Sequence, residues 1–178
     1  MSNDKSNRRP LFRIVLFLIC AVLIFLALNT LYSFTSTLHQ LDAIESERDQ
    51  SQRPLDVVRT LDLREGNTVV DLGSGAGYFA LKLSPAVGKT GQVLAVDLRK
   101  LSLFFLWTRA LLRSEHNLQV IVGAEDNPRL PTGSVDAVLI CNTYHEFSNH
   151  MVCGNEILPV FVIKHERCSL VVSSSMKI

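Results

Sequence analysis

Residues 68–84, TVVDLGSGAGYFALKLS, constrain the fold of this chain more than any other stretch. Thr68 to Leu72 is a short β-branched apolar run, Gly73, Gly75 and Gly77 form a turn, and an apolar, helix-compatible segment follows. The order is strand, glycine loop, helix, the opening unit of an α/β fold. Glycine has no Cβ and accepts positive φ, so such a loop lets backbone N–H groups approach a ligand closely. The helix start that follows adds unpaired N–H groups and a dipole that favours a carboxylate or phosphate. The stretch therefore reads as a small-ligand site.

Spacing narrows the ligand. A dinucleotide fingerprint needs glycine at the first, third and sixth positions, and the sixth position counted from Gly73 is Tyr78. A nicotinamide oxidoreductase is accordingly disfavoured. What stands here is an acidic residue, Asp71, followed by Gly73, Gly75 and Gly77 at alternate positions. This pattern resembles the first motif of class I S-adenosylmethionine (SAM) dependent methyltransferases. The resemblance implies SAM as cofactor, held through Asp71, Gly73, Ser74, Gly75 and Gly77.

The amino-terminal segment has a different character. Every residue from Ile14 to Leu28 is apolar, with Lys5, Arg8 and Arg9 ahead of the run. At about 1.5 Å per residue, some 20 residues cross a hydrocarbon core of about 30 Å. Residues 11–32 thus read as a transmembrane helix after a basic start at 1–10. A cleaved signal peptide shares the positive start and apolar middle, although Ala27-Leu28-Asn29 makes a poor cleavage site, and a buried core helix is the third alternative. Arg8, Arg9 and Arg13 precede the run and Asp42, Glu45, Glu47 and Asp49 follow it, which places the amino terminus in the cytoplasm. A SAM enzyme needs a cytosolic metabolite, which argues for the opposite orientation.

Residues 33–52 are polar and mixed in charge, a juxtamembrane linker or helix. Leu38, Leu41 and Ile44 keep a three-residue spacing that suits a helical extension. The remaining 53–178 form the expected methyltransferase domain. Pro54 suits a first helical turn, with Leu55, Val58 and Leu61 as its apolar face. The whole chain of 178 residues carries a formal charge of +1, which gives no case for a nucleic-acid surface. Cys20, Cys141, Cys153 and Cys168 include no C-x-x-C pair, so neither a zinc site nor a disulfide framework is expected. They read as buried thiols.

After a helix starting near Tyr78, Pro85, Gly88 and Gly91 break the chain, and Gln92 to Val96 form a second strand ending at Asp97. A carboxylate there can accept both hydrogen bonds of a ribose diol, and the resemblance gives Asp97 that role toward SAM. Leu101 to Leu112 is more apolar than one buried helical face requires. It reads either as a helix covering the sheet or, with Arg99, Lys100, Arg109 and Arg113 around it, as a helix lying on a membrane surface. Leu118 to Val122 is the third strand. Glu125 and Asp126 beyond it match the family's adenine-contacting acidic position, with Ala124 where the acidic residue commonly stands.

Val135 to Cys141 is a nearly continuous apolar run, as expected of a central parallel strand. The residues after it, beginning at Asn142, face the transferred methyl. Tyr144 and His145 resemble a Tyr-His motif of a group of uncharacterised methyltransferases. His145 is a candidate general base for an acceptor oxygen, or a residue that only hydrogen-bonds its loop, and Tyr144 a candidate wall of the acceptor pocket. Methyl transfer needs alignment and no metal.

The resemblance implies a Rossmann-like parallel sheet of order 3-2-1-4-5, with Ser169 to Ser173 as fifth strand. Lys164 to Cys168 stands where the family has a lysine-proline-glycine-glycine turn, and Ile178 leaves no residues for the closing strands. The fifth strand should then be an open edge, which either a partner covers or which marks a truncated or altered version of the fold with weakened stability and doubtful activity. The expected function is methyl transfer to a small-molecule or lipid acceptor. The alternative is a non-catalytic membrane protein with a SAM-binding or interaction domain.

Overall fold

Four β-branched apolar runs, each bounded by glycine, proline or a polar turn, form the centre of the structure. The computed structural model describes residues 8–124, 127–130, 133–141, 162–165 and 168–177. The strands are β1 (Thr68–Leu72), β2 (Gln92–Asp97), β3 (Leu118–Val122) and β4 (Ser134–Cys141). All four run parallel in the order β3-β2-β1-β4. The chain steps outward from β1 to β2 and β3, then returns to the other side of β1. The order therefore reverses between β1 and β4, where ligands of open α/β sheets bind at the carboxyl ends.

Beyond β4 lie β5 (Val162–His165) and β6 (Cys168–Lys177). β6 takes the fifth position but runs antiparallel to β4, and β5 pairs antiparallel with β6. The edge expected on the fifth strand is therefore covered within the chain, and the outer strand is β5. The short step from His165 to Cys168, which are register partners, allows only antiparallel return; a parallel strand needs a crossover of a dozen or more residues.

The period of two along each strand sorts the core into two faces. One face holds Val69, Val93, Ala95, Ala137 and Leu139 against the helices α2 (Pro54–Thr60), α3 (Ala80–Val87) and α4 (Lys100–Leu112). The other holds Val70, Leu72, Leu94, Val96, Val138 and Ile140. A register irregularity between Val135 and Ala137 turns Val135 to the second face, and Asp136 there accepts the Thr68 N–H at 2.7 Å. Right-handed crossovers place α3 and α4 on the same side of the sheet.

Several local expectations change. Pro54 does open α2 and is buried with Val57; Leu61, just past the helix, is buried and Val58 packs against the core, but Leu55 is exposed. Pro85 lies inside α3, where it forgoes one hydrogen bond in the last turn; Gly88, at φ 69°, ends the helix. Cys20 is exposed and free, and Cys141 is disulfide-bonded, so neither is a buried thiol. Arg109 is buried in α4 and is not a membrane-facing charge. Leu103, Leu106 and Ala110 face the core with it, while Leu101, Phe104, Trp107 and Leu111 are exposed on the opposite side.

Contacts divide the chain into two units, Met1–Ile44 and Glu45–Ile178. Helix α1 spans Arg8–Gln52 without interruption, so the segment 33–52 is helical throughout. Its apolar side chains from Phe12 to Tyr32 are exposed, and the helix is long and apolar enough to cross a membrane. Arg53 ends it in a left-handed conformation, φ 45° and ψ 53°, because the following proline disfavours the right-handed α region.

Candidate functional site

The site is built from the turn after β1. Gly73 and Ser74 N–H groups both donate to the Val96 carbonyl, at 2.8 and 3.0 Å, which pulls the loop across the end of β2. Gly75 N–H donates to Asp97 Oδ2 at 2.8 Å, and Gly77 N–H donates to the Ser74 carbonyl at 2.9 Å. Gly75 and Gly77 have φ of 54° and 94°. A Cβ at Gly75 meets nothing within 4 Å, so the loop is open there. A Cβ at Gly77 overlaps Leu106 of α4, so this glycine is required by close packing as well as by its φ.

Asp71 closes the loop from below. It stands at the end of β1, and the backbone N–H of Ala80 at the start of α3 favours its ionised form. Asp71 Oδ2 and Ser74 Oγ are buried and have no hydrogen-bond partner among the described residues. Burial pushes the Asp71 carboxyl up to about 7; the Ala80 N–H and Arg48 act against this, and the Asp97 charge adds to it.

Asp97 is also buried, and its oxygens are already engaged. Oδ2 accepts Gly75 N–H, while Oδ1 accepts Arg99 N–H at 2.7 Å and Arg99 Nε–H at 3.3 Å. Of the four lone-pair sites on a carboxylate, three are taken. Gly123 N–H donates to the Asp97 carbonyl at 3.1 Å, so the ends of β2 and β3 are joined as well. Beyond β3, Ala124 and Asn127 exchange backbone hydrogen bonds of 2.7 and 3.2 Å.

The structure thus brings Asp71, Gly73, Ser74, Gly75, Gly77 and Asp97 together at the carboxyl ends of β1 and β2. Glu125, Asp126, Asn142, Tyr144 and His145 lie outside the described residues. A separate cavity of about 840 Å³ lies at the amino ends of β2 and β3, lined in part by Ser84, Gly88, Thr90, Glu115 and Asn117. It is at the wrong end of the sheet for a ligand of an open α/β fold, and Ser84, Glu115 and Asn117 hydrogen-bond one another there.

Arg109 is the residue that the sequence reading misplaced. Its Nη1 donates to the Ala76 carbonyl at 2.7 Å, at the back of the glycine loop. The signal was present: Leu103, Leu106 and Arg109 recur every third position on the core-facing stripe of α4.

Fold and site together define an open α/β domain whose glycine loop and two buried carboxylates, Asp71 and Asp97, stand at the strand ends beside the reversal of strand order. Residues 69–157, half of the chain, match the family model for a methyltransferase domain. The chain belongs to the class I SAM-dependent methyltransferase family. A SAM-dependent methyltransferase from Aquifex aeolicus is similar in structure, with a TM-score of 0.57, 32% identity, and coverage of 64% of this chain and 60% of that one. A tRNA (adenine(57)-N(1)/adenine(58)-N(1))-methyltransferase from Methanocaldococcus jannaschii is 46% identical over 24% of this chain and 15% of its own length. A protein-L-isoaspartate O-methyltransferase 2 from Archaeoglobus fulgidus is 38% identical over 35% of this chain and 29% of its own. The chain therefore spans less than a third of the length of these two relatives.

Two outcomes are expected from this geometry. In urea denaturation, Gly75→Ala costs about 1 kcal/mol from its backbone conformation alone, whereas Gly77→Ala costs at least ~3 kcal/mol because overpacking against Leu106 is added. For Asp71, a folded pKa near 7 lies above its ordinary 3.8, so the folded state holds the extra proton. Its contribution is full below the unfolded value and is lost as pH rises through about 7. Wild type should therefore lose stability relative to Asp71→Asn between pH 5 and pH 8, by an amount on the order of 2 kcal/mol in parallel urea titrations.

Proposed function

We propose that this chain binds SAM at the Asp71–Gly77 loop and catalyses methyl transfer to a small-molecule or lipid acceptor. The observation that carries the reading is the pair of unpartnered buried polar atoms, Asp71 Oδ2 and Ser74 Oγ, beside a loop that is open at Gly75. Buried polar atoms are normally satisfied, so an orphaned pair at a loop of this kind fits a polar ligand. SAM supplies a methyl group on a positively charged sulfur, together with an amino-acid moiety and a ribose.

The residues fit that ligand in distinct ways. Asp71 holds positive charge, Ser74 donates a hydroxyl hydrogen to a carboxylate, and the glycines let the backbone come close. Asp97 accepts a ribose hydroxyl on the lone pair that remains, and takes the second when the exposed Arg99 side chain leaves Oδ1. Glu125 and Asp126 serve the adenine and Asn142 the reacting end. His145 removes the acceptor proton and Tyr144 walls the acceptor pocket. The relatives differ in the acceptors they are named for, so the shared part of the chain specifies the cofactor and not the acceptor. A formal charge of +1 supports a small acceptor over a nucleic acid.

We also propose that residues 11–32 anchor the chain as a single membrane span. The support is the unbroken exposure of the apolar side chains along this part of α1. The outward apolar side of α4 adds support for a lipid-rich setting.

Titration calorimetry of the full chain should show binding of S-adenosylhomocysteine and none of NAD, with Asp97→Ala weakening it at least ~10-fold. NAD binding without S-adenosylhomocysteine binding overturns the reading. With labelled SAM and a lipid or metabolite extract, His145→Ala should keep the affinity and lower turnover about 10²-fold. Intact turnover excludes the base role, and binding without turnover in wild type favours the non-catalytic alternative. For the anchor, alkaline carbonate should leave the full-length chain in the membrane pellet; release into the supernatant, or a mass shortened at the amino terminus, rules the span out.

A further inference from the structure

We propose that Glu45 is a positioning residue of the cofactor loop, acting through Arg109. The inference rests on the reading of the loop as the SAM site, and it concerns residues that lie behind the loop rather than in it. Arg109 is 5% exposed, and its guanidinium reaches in two directions. Nη1 holds the Ala76 carbonyl at 2.7 Å, and Nη2 donates to Glu45 Oε2. Glu45 also accepts from Lys82 Nζ at 2.5 Å and lies 3.5 Å from Arg113 Nη2. Lys82 in turn reaches Asp49 at 3.2 Å.

The chemistry of this cluster explains why a carboxylate is needed. A guanidinium cannot give up its proton, so burying Arg109 requires an opposite charge nearby, and a backbone carbonyl does not supply one. Glu45 does. Burial alone raises the Glu45 carboxyl, but hydrogen bonds from Lys82 and Arg109 outweigh it and hold the group below the ordinary carboxylate range. The carboxylate is therefore ionised wherever the protein is folded near neutral pH.

The consequence for the loop follows from peptide planarity. The Ala76 carbonyl and the Gly77 N–H belong to one rigid unit. Arg109 holds its oxygen, and the Ser74 carbonyl accepts its hydrogen at 2.9 Å. Glycines at positive φ stand on both sides of Ala76, so the local backbone has few restraints of its own. Asp97 fixes the loop from the ligand side at Gly75, and the Arg109–Glu45 pair fixes it from behind at Ala76. The last turns of α1 are fastened at the same place, since the Arg48 guanidinium lies 3.8 Å and Lys82 Nζ 4.3 Å from the centre of the Tyr78 ring.

The test uses the full chain and two readouts. Without ligand, hydrogen exchange is followed on the peptide that covers Gly73 to Phe79. With S-adenosylhomocysteine, affinity is measured by calorimetry. Glu45→Gln should raise exchange in that peptide and weaken binding about 10-fold, the scale of one charge-assisted hydrogen bond. Arg109→Lys, whose single ammonium cannot span both Ala76 and Glu45, should do the same. In the Arg109→Met background, Glu45→Gln should change affinity less than 2-fold, because the charge it balances is gone. Asp56→Asn, which pairs with Arg53 and Arg59 on α2, should leave both readouts as in wild type. Unchanged exchange in Glu45→Gln and in Arg109→Lys overturns the proposal, as does a full additive effect in the double variant. If wild type fails to bind S-adenosylhomocysteine, the cofactor reading falls, while the exchange measurement still decides whether Glu45 holds the loop. Should Glu45→Gln fail to fold, Arg109→Met, which leaves no buried cation, supplies the exchange comparison.

Discussion

A loop with glycine at three of five positions has no intrinsic preference for one shape, and the site depends on what holds it. Ordering a residue costs about 1–2 kcal/mol, and glycine costs the most. A hydrogen bond to a charged group contributes about 1.5–3 kcal/mol, so roughly one such bond for each residue or two is needed. The structure supplies them from all sides. Val96 draws Gly73 and Ser74 over β2, Asp97 holds Gly75, and Arg109 holds Ala76. These bonds consume backbone groups on the inner side of the turn. The direction in which Gly75 lacks a Cβ stays open.

The same bonds explain why so much charge is buried around one turn. Asp71 is 3% exposed, and it pays for desolvation by holding its proton close to neutral pH, with the Asp97 charge pushing the same way. A ligand that brings positive charge to Asp71 reverses this, because it favours the ionised form and expels the proton. Arg109 has no such freedom and is balanced by Glu45 instead. The two solutions differ because a carboxyl can neutralise itself and a guanidinium cannot.

Local signals made the sheet legible and long-range ones did not. β1 to β4 follow from short β-branched runs between turn residues, and the place of β1 at the centre follows from the glycine loop. The direction of β6 against β4 was not legible, since strands of the same composition pair either way; the two-residue step between His165 and Cys168 fixes only that β5 and β6 are antiparallel. In the site, Asp71, Asp97 and the glycines were legible from spacing. That Asp97 already holds Gly75 and Arg99 was not, because hydrogen bonds between loops have no periodicity. Arg109 falls between these cases. Its three-residue spacing from Leu103 and Leu106 places it on the core stripe, yet a charged side chain reads as surface until its counter-charge is found. That counter-charge, Glu45, lies 64 positions away in a stretch that composition marks as a linker.

Helix α4 has two faces of different character. Its inner stripe places Leu106 against Gly77 and Arg109 on the Ala76 carbonyl, so two adjacent residues of the loop are packed or held by one helix. Its outer stripe carries Leu101, Phe104, Trp107 and Leu111, large apolar groups that water does not favour. A helix is stiff along its length, and close-packed side chains do not yield by small amounts. The glycine loop is shaped by its own glycines only in the sense that they permit the shape; α4 and the acidic side chains around it impose it.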